Sequence, residues 1–182
     1  MRVITGTARG MQLKTLEGLE VRPTTDKVKE SIFNIVQFDI PGRRVLDLFA
    51  GSGQMGIEAL SRGAEHATFI DRSPKAIDVI RQNLTRTKLL PSATVRQEEA
   101  KAFLLKSRET YDVAFLDPPY GKGIIEDVLP VLVERMSDYG ILVCETSQQE
   151  TLPETAGRFS VDRVYQYGKI RVTVYRVRED DE

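Results

Sequence analysis

The sequence predicts an α/β fold: a mostly parallel, seven-stranded sheet with helices on both faces, a C-terminal antiparallel hairpin and a small N-terminal β-hairpin extension. Three observations carry this expectation. The apolar run Val45-Leu46-Asp47-Leu48-Phe49 breaks into Gly51 and Gly53 and passes at once into a helical pattern, Gly56-Ile57-Glu58-Ala59-Leu60. Downstream, strand-like apolar runs alternate with helix-period segments, as right-handed crossovers of a parallel sheet require. Near the C-terminus two strand-like runs, 159–168 and 170–178, are separated only by a tight turn, so they must pair antiparallel.

In chain order, Met1-Arg2-Val3-Ile4 and Met11-Gln12-Leu13-Lys14 flank a glycine-bearing turn, which predicts a β-hairpin within an extension over 1–22. The main domain then covers 23–182. Arg22-Pro23-Thr24-Thr25-Asp26 opens a helix whose apolar positions Val28, Ile32, Phe33, Ile35 and Val36 keep helical spacing through 37. Pro41-Gly42 stops it. Strands are expected at 44–49, 66–71, 93–97, 112–117 and 140–146, and helices at 54–62, 74–87, 99–106 and 123–136.

At 182 residues with 41% hydrophobic and 29% charged residues, the chain can bury one substantial core and is not of disordered composition. Its single cysteine, Cys144, lies in the apolar run Ile141-Leu142-Val143-Cys144. It reads as a buried strand residue rather than a nucleophile, and a lone thiol excludes a disulfide framework and suits a reducing compartment. One histidine and one cysteine make a transition-metal site improbable, and His66 is expected at a turn or strand start. No signal-peptide core is visible, and no run approaches the roughly 18 apolar residues of a membrane span. The net charge of -1 gives no nucleic-acid signature by itself. Its distribution does: residues 1–29 hold six basic and three acidic residues, a surplus of three, and residues 158–178 hold six and one, a surplus of five. Two basic flanks fit a rim that tracks phosphates.

Chemistry concentrates where strands end. A strand, a glycine turn and a helix start make a cofactor cradle. Asp47 would repel a phosphate, and no Lys-Ser or Lys-Thr follows the glycines, so a P-loop is excluded. A ligand with a positive charge and hydroxyls fits instead. Asp71 ends the next strand, 18 residues after Gly53, at the spacing for accepting both hydroxyls of a ribose. It also precedes Ser73-Pro74, where either Asp71 or Ser73 can cap a helix. Gln97-Glu98-Glu99-Ala100 precedes another helix, where acids suit the helix dipole whatever the function.

The most specific stretch is Asp117-Pro118-Pro119-Tyr120, after the buried run Val113-Ala114-Phe115-Leu116. Two prolines stiffen the backbone and withhold two N–H donors. The Asp117 carboxylate and Pro118 carbonyl can then act as paired acceptors for a planar amine, with Tyr120 stacked on its ring. Acceptors on both N–H bonds favour rehybridisation of a delocalised amine and stabilise the positive charge that develops as it attacks.

These motifs resemble those of class I S-adenosylmethionine-dependent methyltransferases, whose Rossmann-like fold has five parallel strands and a closing antiparallel hairpin. More narrowly, Met1-Arg2-Val3-Ile4, Arg9-Gly10, Arg22-Pro23-Thr24, Asp26-Lys27-Val28, Phe33-Asn34-Ile35 and Gly56-Ile57-Glu58-Ala59-Leu60-Ser61-Arg62-Gly63-Ala64 resemble one family end to end. That family is the bacterial 16S rRNA guanine-N2 methyltransferases of the small-subunit guanine-966 type. The resemblance implies a cytoplasmic monomer without a metal, using S-adenosylmethionine to methylate the N2 amine of one guanine in 16S rRNA, within the small ribosomal subunit. By position, Asp47, Gly51 and Gly53 would hold the methionine end of the cofactor and Asp71 its ribose. Phe49, Arg72, Glu99 and Ala100 complete the candidate cofactor set, Asp117 to Tyr120 would hold the flipped guanine, and Arg9, Arg22, Thr24 and Lys27 would face the RNA. Two departures are Gln54-Met55, where the family has a small apolar pair, and Glu99, where it commonly has Asp. An adenine-N6 methyltransferase of DNA or RNA shares Asp-Pro-Pro-Tyr, but about 20 residues between elements leave no room for a target-recognition region. A non-catalytic RNA-binding module is the remaining alternative.

Overall fold

The computed structural model describes residues 1–16 and 25–179. Its elements are α1 (Asp26–Ile35), β1 (Arg44–Asp47), α2 (Gln54–Ser61), β2 (His66–Asp71), α3 (Pro74–Arg86), β3 (Ala93–Gln97), α4 (Ala100–Lys106), β4 (Tyr111–Leu116), α5 (Ile124–Leu132), β5 (Met136–Ser147), β6 (Thr155–Ala156), β7 (Phe159–Tyr167) and β8 (Ile170–Val177). They form one eight-stranded sheet in the order β3-β2-β1-β4-β5-β8-β7-β6. The first five of these are mutually parallel, and β8, β7 and β6 add antiparallel. This is the α/β order expected, with one strand more. The extra strand, β6, is two residues long and pairs only with the start of β7.

Period-two alternation sorts the strand residues between two cores. Val45, Phe69, Val113, Phe115, Ile141 and Val143 face a cluster with Ile32, Phe33, Ile57 and Ile80 of α1, α2 and α3. Leu46, Ile70, Ala114, Leu116, Leu142 and Cys144 face the other, with Phe103 and Leu104 of α4 and Ile125, Val128 and Leu129 of α5. Cys144 is fully buried, and burial pushes its thiol far above the usual range, which makes it inert. His66 is the first residue of β2, its ring Nε2 2.8 Å from Thr94 Oγ1.

Several boundaries shift for identifiable reasons. Thr25 caps the start of the first helix by accepting from the Val28 N–H at 3.3 Å, and the helix ends at Ile35, before the expected 37. The helix expected over 123–136 ends at Leu132 and tightens into a 3-10 turn at 133–135. The strand after it begins at Met136, four residues early, although Ser137-Asp138-Tyr139-Gly140 has turn composition. The ladder accommodates that stretch with a register shift opposite Tyr111 and Val113, and Ser137 donates its hydroxyl to Asp112 at 2.8 Å.

The N-terminal hairpin forms around one antiparallel bridge, Arg2 to Gln12, with the Val3 N–H donating to the Met11 carbonyl (3.0 Å), Gly10 to Val3 (2.8 Å) and Leu13 to Met1 (2.9 Å), and its turn is fastened to α2. Glu58, fully buried, accepts from the N–H groups of Ile4 (3.0 Å) and Thr5 (3.3 Å). Ser61 accepts at Oγ from the Ala8 N–H (2.9 Å) and donates to the Thr5 carbonyl (2.7 Å). A Cβ at Gly6, whose φ is +94, would sit 1.8 Å from the Ser61 carbonyl oxygen, so only glycine passes there. Val3, Ala8 and Leu13 complete the docking by joining the first core. The junction expected at residue 22 lies outside the described residues.

Candidate active site

Four acidic side chains occupy equivalent places at the carboxyl ends of adjacent parallel strands. Asp71 and Asp47 close β2 and β1, Asp117 follows β4 directly, and Glu145 lies near the end of β5. Asp47 pairs in register with Phe69 and Phe115, and Leu116 pairs with Cys144, so the next step of that register sets Asp117 beside Glu145. An open α/β sheet binds ligands along this edge.

The β1 end is built around Asp47. It is buried and accepts from the Gly56 N–H at 3.0 Å, tying the strand to the first turn of α2. A Cβ at Gly56 would lie 2.4 Å from the Phe69 ring, so glycine lets α2 approach the sheet closely enough for this bond. Burial, countered in part by the Gly56 amide and reinforced by the Asp71 charge, pushes the Asp47 carboxyl up to about 7. Unfolded, it titrates near 3.8, so the folded state holds the proton more tightly. The stability contributed by the neutral carboxyl is complete below about pH 4 and lost as pH rises through 7. Asp47→Asn, which mimics the neutral form, is therefore expected to unfold at a midpoint that varies less between pH 5 and 8 than the wild type's. Thermal unfolding of the ligand-free protein across that range measures it, and parallel profiles would contradict it.

Asp71 organises the second strand end. One oxygen accepts from the Gly51 N–H at 2.9 Å and the other from the Ser73 N–H at 2.9 Å. Ser73 itself caps α3, accepting from the Ala76 N–H at 3.3 Å. The carboxylate thus fixes the glycine turn, and each oxygen has a further lone pair for a hydroxyl donor. No atom lies within 4 Å of a Cβ built on Gly51, whose φ is +58, so the turn leaves room for a ligand against its backbone. A carboxylate for a cation, an acceptor for vicinal hydroxyls and an open glycine turn are the binding groups that a nucleoside carrying a cationic amino-acid arm needs. Gln54, at the start of α2, is buried with its Oε1 unsatisfied among the described residues.

Other sequence candidates are placed less centrally. Phe49 is half-buried against the second core, Ala100 is buried at the start of α4, and Arg72 is exposed. Glu99 is the N-cap of α4, its oxygens accepting from the N–H groups of Lys101 (3.2 Å) and Ala102 (2.9 Å). Arg9 and Lys27 are exposed, whereas Arg22 and Thr24 lie outside the described residues. Among the described residues, no group of three or more His, Cys, Asp or Glu side chains could hold a metal ion, and no helix is long and apolar enough to cross a membrane.

In the Asp-Pro-Pro-Tyr segment, Pro118 is buried, Pro119 exposed, and Asp117 and Tyr120 half-exposed. The Tyr120 hydroxyl donates to Glu145 Oε1 at 3.0 Å. Glu150 accepts from the N–H groups of Gly121 (2.9 Å) and Ser147 (3.0 Å), clamping the loop after Tyr120 to the end of β5. Pro118, Tyr120, Ile125, Glu145, Thr146 and Leu152 line a pocket at this point. Sequence reasoning missed Glu145 and Glu150. The signal for Glu145 was present, an acid ending a buried apolar run, as at Asp47, Asp71 and Asp117.

The basic flanks are mostly engaged in structure. Lys29 is fully buried, donates to the Arg2 carbonyl at 2.7 Å, and has its pKa lowered by burial against the opposing pull of Glu58. Arg158 pairs with Asp138, Arg171 donates to the Glu150 carbonyl, Arg176 pairs with Asp39 and Asp162, and Arg178 donates to the Gly157 carbonyl. Arg9, Lys14 and Lys27 on the N-terminal side, with Arg163 and Lys169 on β7 and its turn, are exposed cations.

Known proteins with this arrangement are similar over the whole chain. It is 44% identical over 183 residues to the "Putative rRNA methyltransferase YlbH" of Bacillus subtilis (strain 168), covering 98% of this chain and 100% of that one. It is 32% identical over 178 residues to "Ribosomal RNA small subunit methyltransferase D" of Escherichia coli (strain K12), covering 97% and 89%. The solved structure of the "Putative methyltransferase yhhF from Escherichia coli" superposes with a TM-score of 0.87 at 32% identity, covering 97% of both chains. The sheet order is thus that of the Rossmann-like methyltransferases. The family model described as "Conserved hypothetical protein 95" matches residues 1–176, and the chain belongs to that family.

Proposed function

We propose that this protein transfers a methyl group from S-adenosylmethionine to the exocyclic N2 amine of a specific guanine in 16S rRNA of the small ribosomal subunit. The observation that carries the reading is the adjacency of two sites on one sheet edge. The β1 and β2 ends offer acceptors and an open glycine turn for the cofactor, and the β4 and β5 ends offer acceptors for an amine. The small-subunit rRNA methyltransferase relatives support the substrate class.

S-adenosylmethionine, when bound, supplies an activated methyl group on a sulfonium. The chain's own residues bind and orient. Asp71 accepts the ribose hydroxyls while holding the glycine turn through Gly51, and Asp47 faces the positively charged methionine end. Asp117 and the Pro118 carbonyl accept the two N–H bonds of the guanine amine, and Tyr120, pinned at its hydroxyl, presents its ring to the base. Holding the reacting nitrogen in one orientation removes much of the entropic part of the barrier. Incubation with labelled S-adenosylmethionine and separate pools of rRNA, tRNA and DNA tests the substrate class. Label is expected in rRNA alone; label in DNA would overturn the reading.

Arg9 stands on the docked N-terminal loop and Lys27 on the first turn of α1, both exposed. That loop is fixed beside the glycine turn: Asn83 exchanges hydrogen bonds with the Lys14 backbone (2.8 and 3.0 Å) and donates to the Ser52 carbonyl (2.9 Å). Arg9→Ala and Lys27→Ala are each expected to weaken RNA binding and to flatten the slope of log K against log salt by about 0.7–0.9, one phosphate contact each. Filter binding across salt concentrations measures the slope. An unchanged slope in both variants would remove these residues from the RNA surface.

A further inference from the structure

Resting on the amino-methyltransferase reading above, we propose that Glu145 is the specificity-determining residue that selects guanine, by accepting the base's ring N1–H beside the amine held at Asp117. Glu145 is 5% exposed, yet it stands near the end of β5 and lines the pocket with Pro118 and Tyr120. Its neighbours at positions 141 and 143 on the same strand face are apolar core, so Glu145 is where that face turns from apolar to acidic as it reaches the pocket. Asp117 and Glu145 each directly follow the last paired residues of the β4–β5 register, Leu116 and Cys144, and the Tyr120 hydroxyl donates to Glu145 Oε1 at 3.0 Å. Two carboxylates therefore stand side by side at the place where the Asp-Pro-Pro-Tyr segment would hold a base.

The chemistry of the bases decides what such a pair accepts. Guanine, adenine and cytosine all carry an exocyclic amine. Only in guanine does the amine adjoin a ring N–H; in adenine and cytosine the nitrogens beside it carry lone pairs. A carboxylate next to the amine-holding Asp117 accepts from guanine N1–H. Against adenine N1 or cytosine N3 it meets a lone pair, and a buried acceptor is left opposed rather than satisfied. A carboxylate has about four lone-pair positions, so accepting from Tyr120 and from the base is compatible. Tyr120 thereby acquires a second role, holding Glu145 in the orientation that meets the base edge.

The test uses 2-aminopurine, which keeps the N2 amine, replaces N1–H by a lone pair and lacks O6, so the change in ratio on Glu145→Gln is what reports N1. RNA is ligated with guanine or 2-aminopurine at the position the wild-type protein methylates, and kcat/KM is measured for wild type, Glu145→Gln and Tyr120→Phe. Sites built to bind a donor reject analogues lacking it strongly, so wild type is expected to favour guanine by at least ~10²-fold. In Glu145→Gln the amide can donate to the 2-aminopurine nitrogen, and the preference is expected to shrink by about 10-fold or more, with guanine methylation reduced. Tyr120→Phe, which releases Glu145 from that orientation but keeps its carboxylate, is expected to slow both substrates and to shrink the ratio less than Glu145→Gln does. Cofactor affinity in each variant, expected at the wild-type level, reports an intact fold. A wild-type ratio in Glu145→Gln, or a wild type indifferent to the two bases, would overturn the inference and reduce Glu145 to a support for Tyr120. Failure of the wild type to form any N2-methylguanosine would instead defeat the reading on which it rests.

Discussion

Asp117→Ala is expected to lose single-turnover methylation by at least the ~10²–10³-fold typical of removing one preorganised electrostatic group, whereas Asp117→Asn should retain much more. The difference rests on what the carboxylate does. As an acceptor, Asp117 aligns the guanine amine and stabilises the positive charge that develops on nitrogen as its bond to carbon forms. As a base, it would also take the proton that nitrogen releases. Guanine N2 has no need to lose that proton before attack, because the cationic product is strongly acidic and gives it to water. Acceptor geometry therefore outweighs basicity, and Asn keeps one acceptor oxygen facing the amine. Asp117 is half-exposed where β4 ends, so water reaches this edge. Rates across pH at saturating cofactor measure it, and the Asn variant should show little pH dependence. An Asn variant as inactive as Ala would show that full negative charge or proton acceptance is required.

The largest stability effect is expected at Glu58. Its side chain is fully buried on α2, accepts from Ile4 and Thr5, and pairs with Arg62 at 3.1 Å. Lys29, also fully buried, reaches the Arg2 carbonyl in the same cluster, and Arg62 lies 4.8 Å over the Phe33 ring. Glu58→Ala leaves two backbone amides and two cations without their carboxylate. Removing one partner of a buried ionic network costs about 3–5 kcal/mol. At about 2–4 °C per kcal/mol for a chain of this size, the midpoint of thermal unfolding should fall by roughly 6–20 °C. Glu58→Gln, which keeps an acceptor for Ile4, should fall less. Circular dichroism on heating, with limited proteolysis of the N-terminal loop, measures both; a midpoint within about 2 °C of wild type in Glu58→Ala would contradict the account.

Glu58 also shows which parts of the fold were legible in the sequence. The alternation of apolar runs and helix-period segments places the five parallel strands and the final hairpin, because those patterns depend on neighbours close in sequence. The run Gly56-Ile57-Glu58-Ala59-Leu60-Ser61-Arg62 was recognisable as a motif, but its physical meaning was not. Glu58 and Ser61 act on residues more than 50 positions away, and no local period encodes that. The same limit applies to the N-terminal hairpin: its self-pairing is legible in the sequence, but its docking on the buried carboxylate of α2 is not. It also explains the C-terminal basic surplus, much of which is engaged with acids and carbonyls that only the folded sheet brings near. In the candidate site, Asp47, Asp71 and Asp117 were visible as acids that interrupt or end apolar runs. Glu145 ends a run in the same way, yet it gains meaning only when parallel pairing sets β5 beside β4. Glu99, in the candidate cofactor set, also caps α4, a role its position before Ala100 suits.

The most direct test of the central claim is the identity of the modified nucleoside. Small-subunit rRNA lacking the modification is incubated with the protein and labelled S-adenosylmethionine, digested to nucleosides and separated by liquid chromatography with mass detection. The label is expected in N2-methylguanosine, at one position of 16S rRNA, and to vanish with Asp117→Ala. Label in N6-methyladenosine, or in no nucleoside at all, would contradict it.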